Sequence, residues 1–422
     1  MQYILLTFLC AITLIAYVQR SAMNGATKAI ENDLQLSSQD LGWVMSGWYL
    51  LYSLVQLPGG WVADRLGSKP ALILFAVSWS VLTGLAGLAS GFPSLVLLWA
   101  LMGAAQAGIF PCCTKAIGAA FPPAQQAFAS GALACSMALG GALAPAMTGQ
   151  LLRTLSWQAI FALYAAPGLI WAILFARTFQ NPDTIPAQSS GAKGDPPRVA
   201  SDLHEPIRWT KLVTDPQMLL LCFQQFLRAG AMVFFYTWFA RFLQETRGLS
   251  EQQAGSLAFW PPFAGALGGL SGGLLSDWLL RRTGHPRLAR QGMTFVALCS
   301  CTGLAAATYF VADPYLAVLL ISLGAFCGMA SGVSAYALAI AYGGKQVATV
   351  FATMNMSGNF GATLFPSLVA VLVIHTGNWN SALMVFVGLF AAAALCWLFL
   401  NPQDTLFQEP LLNSEQIRYG GG

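Results

Sequence analysis

Hydrophobic positions along the chain form a series of long apolar segments separated by short polar breaks. Each segment has about 20 residues or more, the length that an α-helix needs to cross the hydrocarbon core of a bilayer. The pattern predicts an all-α membrane protein with twelve transmembrane helices. The predicted helices lie at residues 2–24, 40–62, 71–90, 93–117, 128–151, 157–179, 217–245, 252–275, 289–311, 314–341, 347–373 and 380–401.

The longest polar break divides these helices six and six. It contains the stretch "AQSSGAKGDPPRVASD", whose proline, serine, glycine and charged residues are typical of a flexible linker. We therefore expect an N-terminal six-helix bundle at 1–179, a cytoplasmic linker at 180–216, a C-terminal six-helix bundle at 217–401 and a cytoplasmic tail at 402–422.

The two halves repeat each other in sequence. "LSSQDLGWVMSGWYLLYSLVQLPGGWVADRLG", from Leu36, aligns without gaps with "LSEQQAGSLAFWPPFAGALGGLSGGLLSDWLL", from Leu249, at a constant offset of 213. Shared positions include Ser37 and Ser250, Gly60 and Gly273, and Asp64 and Asp277. An offset of about half the chain predicts two parallel repeats related by a pseudo-two-fold axis along the membrane normal.

Composition supports a membrane protein and excludes several other classes. Apolar residues make up 56% of the chain and charged residues 9%, whereas soluble domains have about 25% charged residues. The nine cysteines all lie within apolar segments, which argues against disulfides or a zinc site. We expect no metal, no cofactor and no nucleic-acid partner. The expected partners are the lipid bilayer and a small substrate, and we expect a monomer.

Lysine and arginine residues predict the orientation, because they are enriched in cytoplasmic loops. With the N-terminus inside, most of the 20 lysines and arginines lie in cytoplasmic segments. The outer segments contain Lys28, Arg153, Arg241 and Arg247, and both termini are then cytoplasmic.

Two short motifs resemble a known superfamily. "GGWVADRLGSK", residues 59–69, is similar to the cytoplasmic loop motif of the major facilitator superfamily, and "GGLLSDWLLRR", residues 272–282, is similar to its second-half counterpart. The resemblance implies the major facilitator fold, with Asp64, Arg65 and Asp277 as gating residues that hold the two halves together on the cytoplasmic side.

Within that superfamily the chain resembles the anion:cation symporter family from end to end. The matching stretches are "YVQRSAMN", "YSLVQLPGGWVADRLG", "GAAQAGIFP", "WFARFLQETRGLS", "MNMSGNFGATLFP" and "HTGNW". The resemblance implies a secondary transporter, and not an enzyme, of the bacterial inner membrane. Its substrate would be a small organic anion such as a sugar acid, carboxylate, organophosphate or anionic chelate, moved by alternating access.

Arg20 is the most informative single residue. An arginine at membrane depth costs on the order of 3 kcal/mol on insertion scales, so its position needs a reason. Tyr17 lies three residues earlier on the same helix face. The resemblance implies that Arg20 binds the anionic group of the substrate. An arginine near the outer interface whose side chain reaches the headgroups is the alternative.

Further polar residues fall on predicted cavity-lining helices. Arg228, with Gln225 one turn before it, is the second buried cation, and it either contacts the substrate or bonds helix carbonyls. Tyr52 occupies the position of the family's substrate-contacting tyrosine. Asn355 and Asn359 lie four residues apart in the family's Asn-x-x-Gly-Asn pattern, and they either bond neighbouring helices or face water.

Two glutamines replace acids that the family uses for proton coupling. One such acid directly precedes the arginine of the first helix, and the other lies in a glycine-rich stretch of the fourth; this chain has Gln19 and Gln106 there. Since glutamine cannot titrate, we expect a uniporter or an exchanger. Two alternatives remain open: a proton-coupled symporter with another proton route, and a transporter-like membrane receptor for an anion.

Overall fold

The computed structural model describes residues 1–179 and 209–403, and within these ranges the chain is helical, without β-strands. Sixteen α-helices occur in them. The first half contains α1 (Gln2–Leu34), α2 (Ser38–Leu66), α3 (Ser68–Ala86), α4 (Phe92–Gln106), α5 (Ile109–Ala120), α6 (Pro123–Leu151) and α7 (Trp157–Thr178). The second contains α8 (Trp209–Thr214), α9 (Pro216–Val233), α10 (Phe239–Arg247), α11 (Glu251–Leu257), α12 (Trp260–Thr283), α13 (Met293–Thr308), α14 (Pro314–Gly343), α15 (Val347–Thr376) and α16 (Trp379–Phe399).

Each of the twelve predicted apolar segments largely coincides with helix, so the all-α prediction is confirmed. Among the described residues, seven helical segments are long and apolar enough to cross a membrane by length and composition. One of them, Pro314–Phe365, covers α14 and part of α15, and another, Phe92–Ala120, joins α4 and α5. The remaining predicted spans are more polar or shorter, yet their order along the chain is consistent with twelve transmembrane segments.

Several helix ends differ from the prediction because helices continue beyond the apolar residues. Helix α1 extends through polar residues to Leu34, and Gln35 then ends it in the left-handed conformation with φ 54°. Helix α12 continues to Thr283, past the predicted end at 275, and stops at Gly284 with φ 65°. Hydropathy marks the part of a helix that lies in hydrocarbon, whereas these caps mark where the helix ends.

Two predicted spans contain local irregularities. The segment 93–117 is interrupted between α4 and α5 at Gly108, where an added Cβ would lie 2.1 Å from the Phe75 ring. The segment 217–245 contains a π-helical turn, Phe234–Trp238, between α9 and α10. Hydropathy marks neither feature.

The sequence repeat corresponds to repeated structure. Ser37 and Ser250, at the offset of 213, each cap a helix through a reciprocal capping box, with Asp40 and Gln253 as the respective partners. Equivalent residues of the two halves therefore begin equivalent helices.

The two halves meet chiefly along two helix pairs, α2 with α15 and α6 with α12, and α5 and α14 add further contacts between them. Small residues permit the approach: an added Cβ on Gly60 would lie 2.6 Å from the Ala348 carbonyl oxygen, and one on Gly273 would lie 2.4 Å from that of Ala127. Most of the predicted linker and tail lies outside the described residues. The end of the linker region forms α8, and Asp215 then caps α9 through the Gln217 and Met218 amides.

Candidate functional site

A cavity of about 1110 Å³ lies between the two halves. Two exposed residues, Trp43 and Thr363, line one end of it, which we call the mouth. At the other end, stacked Phe110 and Phe351 rings from opposite halves, 6.3 Å apart, help to close it. The charged side chains that line the cavity are Arg20 and Arg228, and its lining contains no carboxylate.

Arg20 lies within a group of four aromatic rings. Its Cζ atom is 4.1 Å from the centroid of Trp48, 4.8 Å from Tyr49, 5.2 Å from Tyr17 and 5.5 Å from Tyr52. All four distances are within cation–π range. Among the described residues no carboxylate forms a salt bridge with Arg20. The rings cover the guanidinium without neutralising it, so its charge remains available to an anion.

The aromatic group is held in place by its own packing. The Trp48 and Tyr52 rings stack, with centroids 4.7 Å apart and planes 14° from parallel. The Trp48 indole N–H donates to the Met102 sulfur at 3.0 Å. Gly103 lets α4 approach, since an added Cβ there would lie 2.5 Å from the Trp48 carbonyl oxygen. Arg20 is thus presented by a fixed surface rather than by a mobile side chain alone.

Arg228 is held differently, by an amide and a glycine. Its Nε and Nη2 atoms both donate to Gln225 Oε1, each at 3.3 Å. Gly332 on α14 makes room for the guanidinium, because an added Cβ would lie 2.9 Å from Arg228 Nη1. Gly358 on α15 makes similar room for the Gln225 side chain, at 3.0 Å. Arg228 is 6% exposed and still contributes to the cavity lining.

Helix α15 contributes the asparagine pair. Asn355 and Asn359 line the cavity, and the Asn359 Nδ2 atom is buried without a hydrogen-bond partner. Tyr336 of α14 lines the same cavity and packs edge-on against Phe351, with centroids 5.1 Å apart. The second half therefore offers amide and hydroxyl groups opposite the aromatic group of the first.

Gln19 and Gln106 lie away from this cavity, inside the first half. Gln19 is 1% exposed; its amide nitrogen donates to the Tyr164 carbonyl oxygen, and its Oε1 accepts from the Trp79 indole N–H. The Gln106 amide nitrogen donates to the Ala16 carbonyl oxygen at 3.0 Å. Each glutamine uses its NH2 group as a donor, which an ionised carboxylate could not do.

Asp64 joins the two halves at the closed end. Its carboxylate accepts from the backbone N–H groups of Ala348 and Thr349 at 3.2 and 2.8 Å, and from Thr349 Oγ1 at 2.6 Å. These amides belong to the first turn of α15, where a negative charge is favourable. Lys115 is its ion-pair partner at 3.2 Å.

Arg65, grouped with Asp64 from the sequence, points elsewhere. It is exposed, and its Cζ lies 4.5 Å from the Trp61 ring on its own helix. Adjacent residues of a helix diverge by about 100°, so Asp64 and Arg65 do not share a face. Lys115, 51 residues away, takes the place that the motif suggested for Arg65.

Asp277 forms the corresponding contact in the second half. It accepts from the Phe128 amide at 2.7 Å and from the Ala127 amide at 3.4 Å, near the start of α6. Arg290 forms an ion pair with Asp277 at 2.7 Å and also donates to the Pro123 carbonyl oxygen at 2.6 Å. The two aspartates thus bind the opposite half in a symmetry-related manner, each with a basic partner. We call the end that contains them the aspartate end.

The predicted substrate-contacting residues come together in this structure. The cavity is lined by Tyr17, Arg20, Tyr52, Gln225, Arg228, Asn355 and Asn359. Sequence reasoning missed Tyr49, which lies one turn before Tyr52, and Tyr336. The one-turn spacing could have indicated Tyr49, whereas no local signal in the sequence identifies Tyr336.

Comparison with known proteins gives the family. A family model described as Major Facilitator Superfamily matches residues 9–311. The probable sulfoacetate transporter SauU of Cupriavidus necator is 30% identical over 412 residues, covering 96% of this chain and 95% of that protein. The hexuronate transporter of Bacillus subtilis is 29% identical, with 94% of each chain covered. A probable galactarate/D-glucarate transporter, GarP of Escherichia coli, is 27% identical with the same coverage.

Solved structures share the fold at low sequence identity. FucP in its outward conformation matches with a TM-score of 0.74 and 14% identity, over 94% of this chain and 98% of that one. The human organic anion transporter MFSD10 matches with a TM-score of 0.71 and 14% identity, over 94% and 99%. Together with the family model and the relatives, all of which are transporters rather than enzymes, these findings show that the chain is a multi-pass membrane protein that belongs to the major facilitator superfamily.

Proposed function

We propose that this protein is a secondary transporter that moves a small organic anion across the membrane by alternating access. The observation that carries the proposal is the cavity between the halves, which contains Arg20 and Arg228 and no carboxylate. Two cations in a site of low dielectric attract and hold anions. The substrates named for the relatives, sulfoacetate, hexuronate and galactarate or glucarate, are anions of this class.

The contacts of the cavity suggest how the anion is bound. The Trp48 ring covers the Arg20 guanidinium, and the guanidinium Nη1 donates to the Tyr17 hydroxyl at 3.5 Å, so the remaining N–H groups are the ones suited to a carboxylate or sulfonate oxygen. Asn355 and Asn359 provide amide groups opposite, suited to substrate hydroxyls or further oxygens. The unpaired Nδ2 of Asn359 supports this role, because a buried donor without a partner is costly.

The direction of the cavity follows from the predicted orientation. The distribution of basic residues supports a cytoplasmic location for the aspartate end and for both termini, and the family resemblance supports a bacterial inner membrane. The mouth then faces outward, and the molecule is described in an outward-open state. We propose that Asp64 and Asp277, with Lys115 and Arg290, form the latch that keeps the cytoplasmic side closed in this state.

We further propose that transport is not driven by protons through the family's usual route. A buried glutamate in place of Gln19 could donate to the Tyr164 carbonyl only when protonated. Glutamine keeps that donor permanently, and the same holds for Gln106 and the Ala16 carbonyl. The first half is thereby fixed in the equivalent of a protonated state, which supports uniport or exchange over symport.

The test is uptake into proteoliposomes. Purified protein is screened by thermal shift against sulfoacetate, galacturonate, glucarate and neutral glucose, and the stabilising compounds are then supplied in radiolabelled form. We expect saturable uptake of at least one anion, competition among the anions, and no uptake of glucose. Stabilisation by glucose but by none of the anions, or uptake no faster than in protein-free liposomes, would overturn the proposal.

A further inference from the structure

The cavity has an apolar part that the anion contacts described above do not use. Three methionines from three helices line it: Met137 of α6, Met232 of α9 and Met329 of α14. Aliphatic residues of α6 and α9 line the cavity as well, namely Ala134, Ala138, Ala229 and Val233. We call these seven residues the methionine wall.

The helices that carry the methionine wall are neighbours. Helix α14 packs against both α6 and α9. It approaches α9 closely at the methionines, because an added Cβ on Gly328, the residue before Met329, would lie 3.1 Å from the Met232 sulfur. Helices α6 and α14 also pack against α12, so the wall flanks the α6–α12 seam, one of the two seams along which the halves meet. Both halves therefore contribute to it.

The wall begins close to the predicted anion contact. Helix α1 packs against α6 at Tyr17, where an added Cβ on Gly140 would lie 2.9 Å from the Tyr17 Cβ atom. Met137 precedes Gly140 by three residues and so shares its helix face. The Tyr17 hydroxyl accepts from Arg20 Nη1 at 3.5 Å. An acid group at Arg20 therefore leaves the rest of the anion within reach of the wall.

Small polar side chains lie at the other seam, where α2 packs against α15. The serine, threonine and asparagine residues of the lining are Ser46 and Ser53 on α2 and Asn355, Asn359 and Thr363 on α15. The lining is thus divided, with hydroxyl and amide groups at one seam and thioethers and methyl groups at the other.

This division selects among anions by their carbon skeleton. A hydroxyl group placed against methionine gives up its hydrogen bonds to water, and a thioether sulfur is too weak an acceptor to replace them. Methionine is flexible and polarisable, so it adapts to apolar groups of different shapes. A sugar ring carries hydroxyls around its whole edge and cannot place all of them at the α2–α15 seam.

We propose that the transported anion carries its acid group on an apolar carbon skeleton, which packs against the methionine wall. The substrate class is alkyl or cycloalkyl carboxylates and sulfonates, with the acid group at Arg20 and any further oxygens toward α15. Polyhydroxylated sugar acids bind less tightly. This inference rests on the proposed transport function and narrows its substrate class.

The experiment compares two anions that differ only in the polarity of their skeleton. Cyclohexanecarboxylate and galacturonate in its ring form are both six-membered rings with one carboxylate, but galacturonate carries hydroxyls. Binding to the purified protein is measured by titration calorimetry at about pH 7.5, where both carboxylates are ionised. Heats from protein-free detergent micelles are subtracted. We expect cyclohexanecarboxylate to bind about tenfold or more tightly than galacturonate, because its skeleton leaves no hydroxyl unpaired at the wall.

Glutamine substitutions test the wall itself. Met137→Gln and Met329→Gln keep the side-chain length and add an amide. Each should weaken cyclohexanecarboxylate binding about fivefold or more, since a polar group is then buried against the ring, and leave galacturonate binding unchanged or stronger. Met137→Leu, which conserves the apolar volume, should keep both affinities within about twofold of wild type.

Met147→Gln is the matched control. Met147 is on the same helix as Met137, but it is exposed and does not line the cavity. It should change neither affinity by more than about twofold, as expected of an exposed substitution. An equal loss for both anions in Met137→Gln and Met329→Gln would indicate a structural role and overturn the inference, as would an effect of Met147→Gln of the same size.

The outcomes separate this inference from the transport proposal. Galacturonate binding as tight as cyclohexanecarboxylate binding, or binding of sulfoacetate or glucarate without any binding of cyclohexanecarboxylate, would overturn the inference and leave transport standing. If cyclohexanecarboxylate binds but enters proteoliposomes no faster than protein-free liposomes, and the other anions do not enter either, the transport proposal fails. The glutamine variants then still decide on the wall. If no anion binds, both fail.

Discussion

Neutralising Asp64 and Asp277 tests how the closed end is held. In Asp64→Asn the amide keeps one oxygen for the α15 amides, but it loses the charge that faces Lys115 and the N-terminus of α15. A hydrogen bond to a charged group contributes about 1.5–3 kcal/mol, and a charge at a helix N-terminus about 0.3–1 kcal/mol. We therefore expect each substitution to weaken the closed state by about 2–4 kcal/mol, which is roughly 30- to 900-fold in population.

The assay is cysteine labelling from each side. Val333→Cys reports opening of the aspartate end, because Val333 is buried against Ala127 of the opposite half. Thr363→Cys, exposed at the mouth, reports opening of the opposite side. In the double variant Asp64→Asn, Asp277→Asn the two effects should add, since the sites are in separate seams. Labelling should rise at residue 333 and fall at residue 363.

Arg65→Gln serves as the matched control, because Arg65 is exposed over Trp61 and does not contact Asp64. It should leave both labelling rates within about twofold of wild type, the range of a surface substitution of about ±0.5 kcal/mol. The reasoning would be refuted by a double variant whose labelling matches wild type, or by an Arg65 effect as large as that of Asp64.

Four further predictions follow from the cavity and its surroundings. Arg20→Lys should weaken anion binding by roughly 10- to 100-fold, since lysine retains the charge but loses the planar fork and the ring stacking; equal binding in a titration calorimetry experiment would contradict the role of the guanidinium. Gly332→Ala should displace the Arg228 side chain and lower the affinity for the anion, and thermal stability is measured in parallel. The control is Gly388→Ala, because an added Cβ at Gly388 meets nothing within 4 Å. Anion flux should be nearly independent of an imposed pH gradient between about pH 5.5 and 7.5. Strong accumulation of the anion driven by that gradient, with the membrane potential clamped, would refute the proposal that Gln19 and Gln106 remove proton coupling. Gln19→Glu should make binding dependent on pH, because protonation is needed to retain the bond to the Tyr164 carbonyl, whereas a flat pH profile in a folded variant would count against that argument.

The sequence predicted the fold well because its main signals are physical requirements of the bilayer. Apolar length indicated each span, and the repeat at offset 213 indicated equivalent caps at Ser37 and Ser250. Arg20 could be assigned to the cavity because a charge at membrane depth is costly and therefore indicates a function. The helix ends at Gln35 and Gly284 were less accessible, since they depend on backbone conformation and not on hydropathy.

The sequence predicted site residues only where function is visible in residue type and spacing along the chain. Partners brought together by tertiary packing leave no such mark, and this explains why Lys115 and Arg290 were not assigned to Asp64 and Asp277. The roles of Gln19 and Gln106 as coupling positions came from resemblance, and the structure adds that both are bonded inside the first half. That placement could not be derived from spacing, because a residue next to Arg20 on the helix faces a different neighbour.

The positive charge of the cavity has a kinetic consequence for the transport cycle. When both ends close around an empty site, two guanidinium groups leave water without a counter-ion, and an uncompensated buried charge costs about 3–5 kcal/mol. A bound dianion removes that cost, so the loaded protein passes through the occluded state a few hundred-fold or more faster than the empty one, at roughly 1.4 kcal/mol per tenfold. A negative interior potential of 100 mV adds about 2.3 kcal/mol per charge against inward movement of a free anion. Counter-flow of one anion against another avoids both penalties, and we therefore expect obligatory exchange to dominate over net one-way flux.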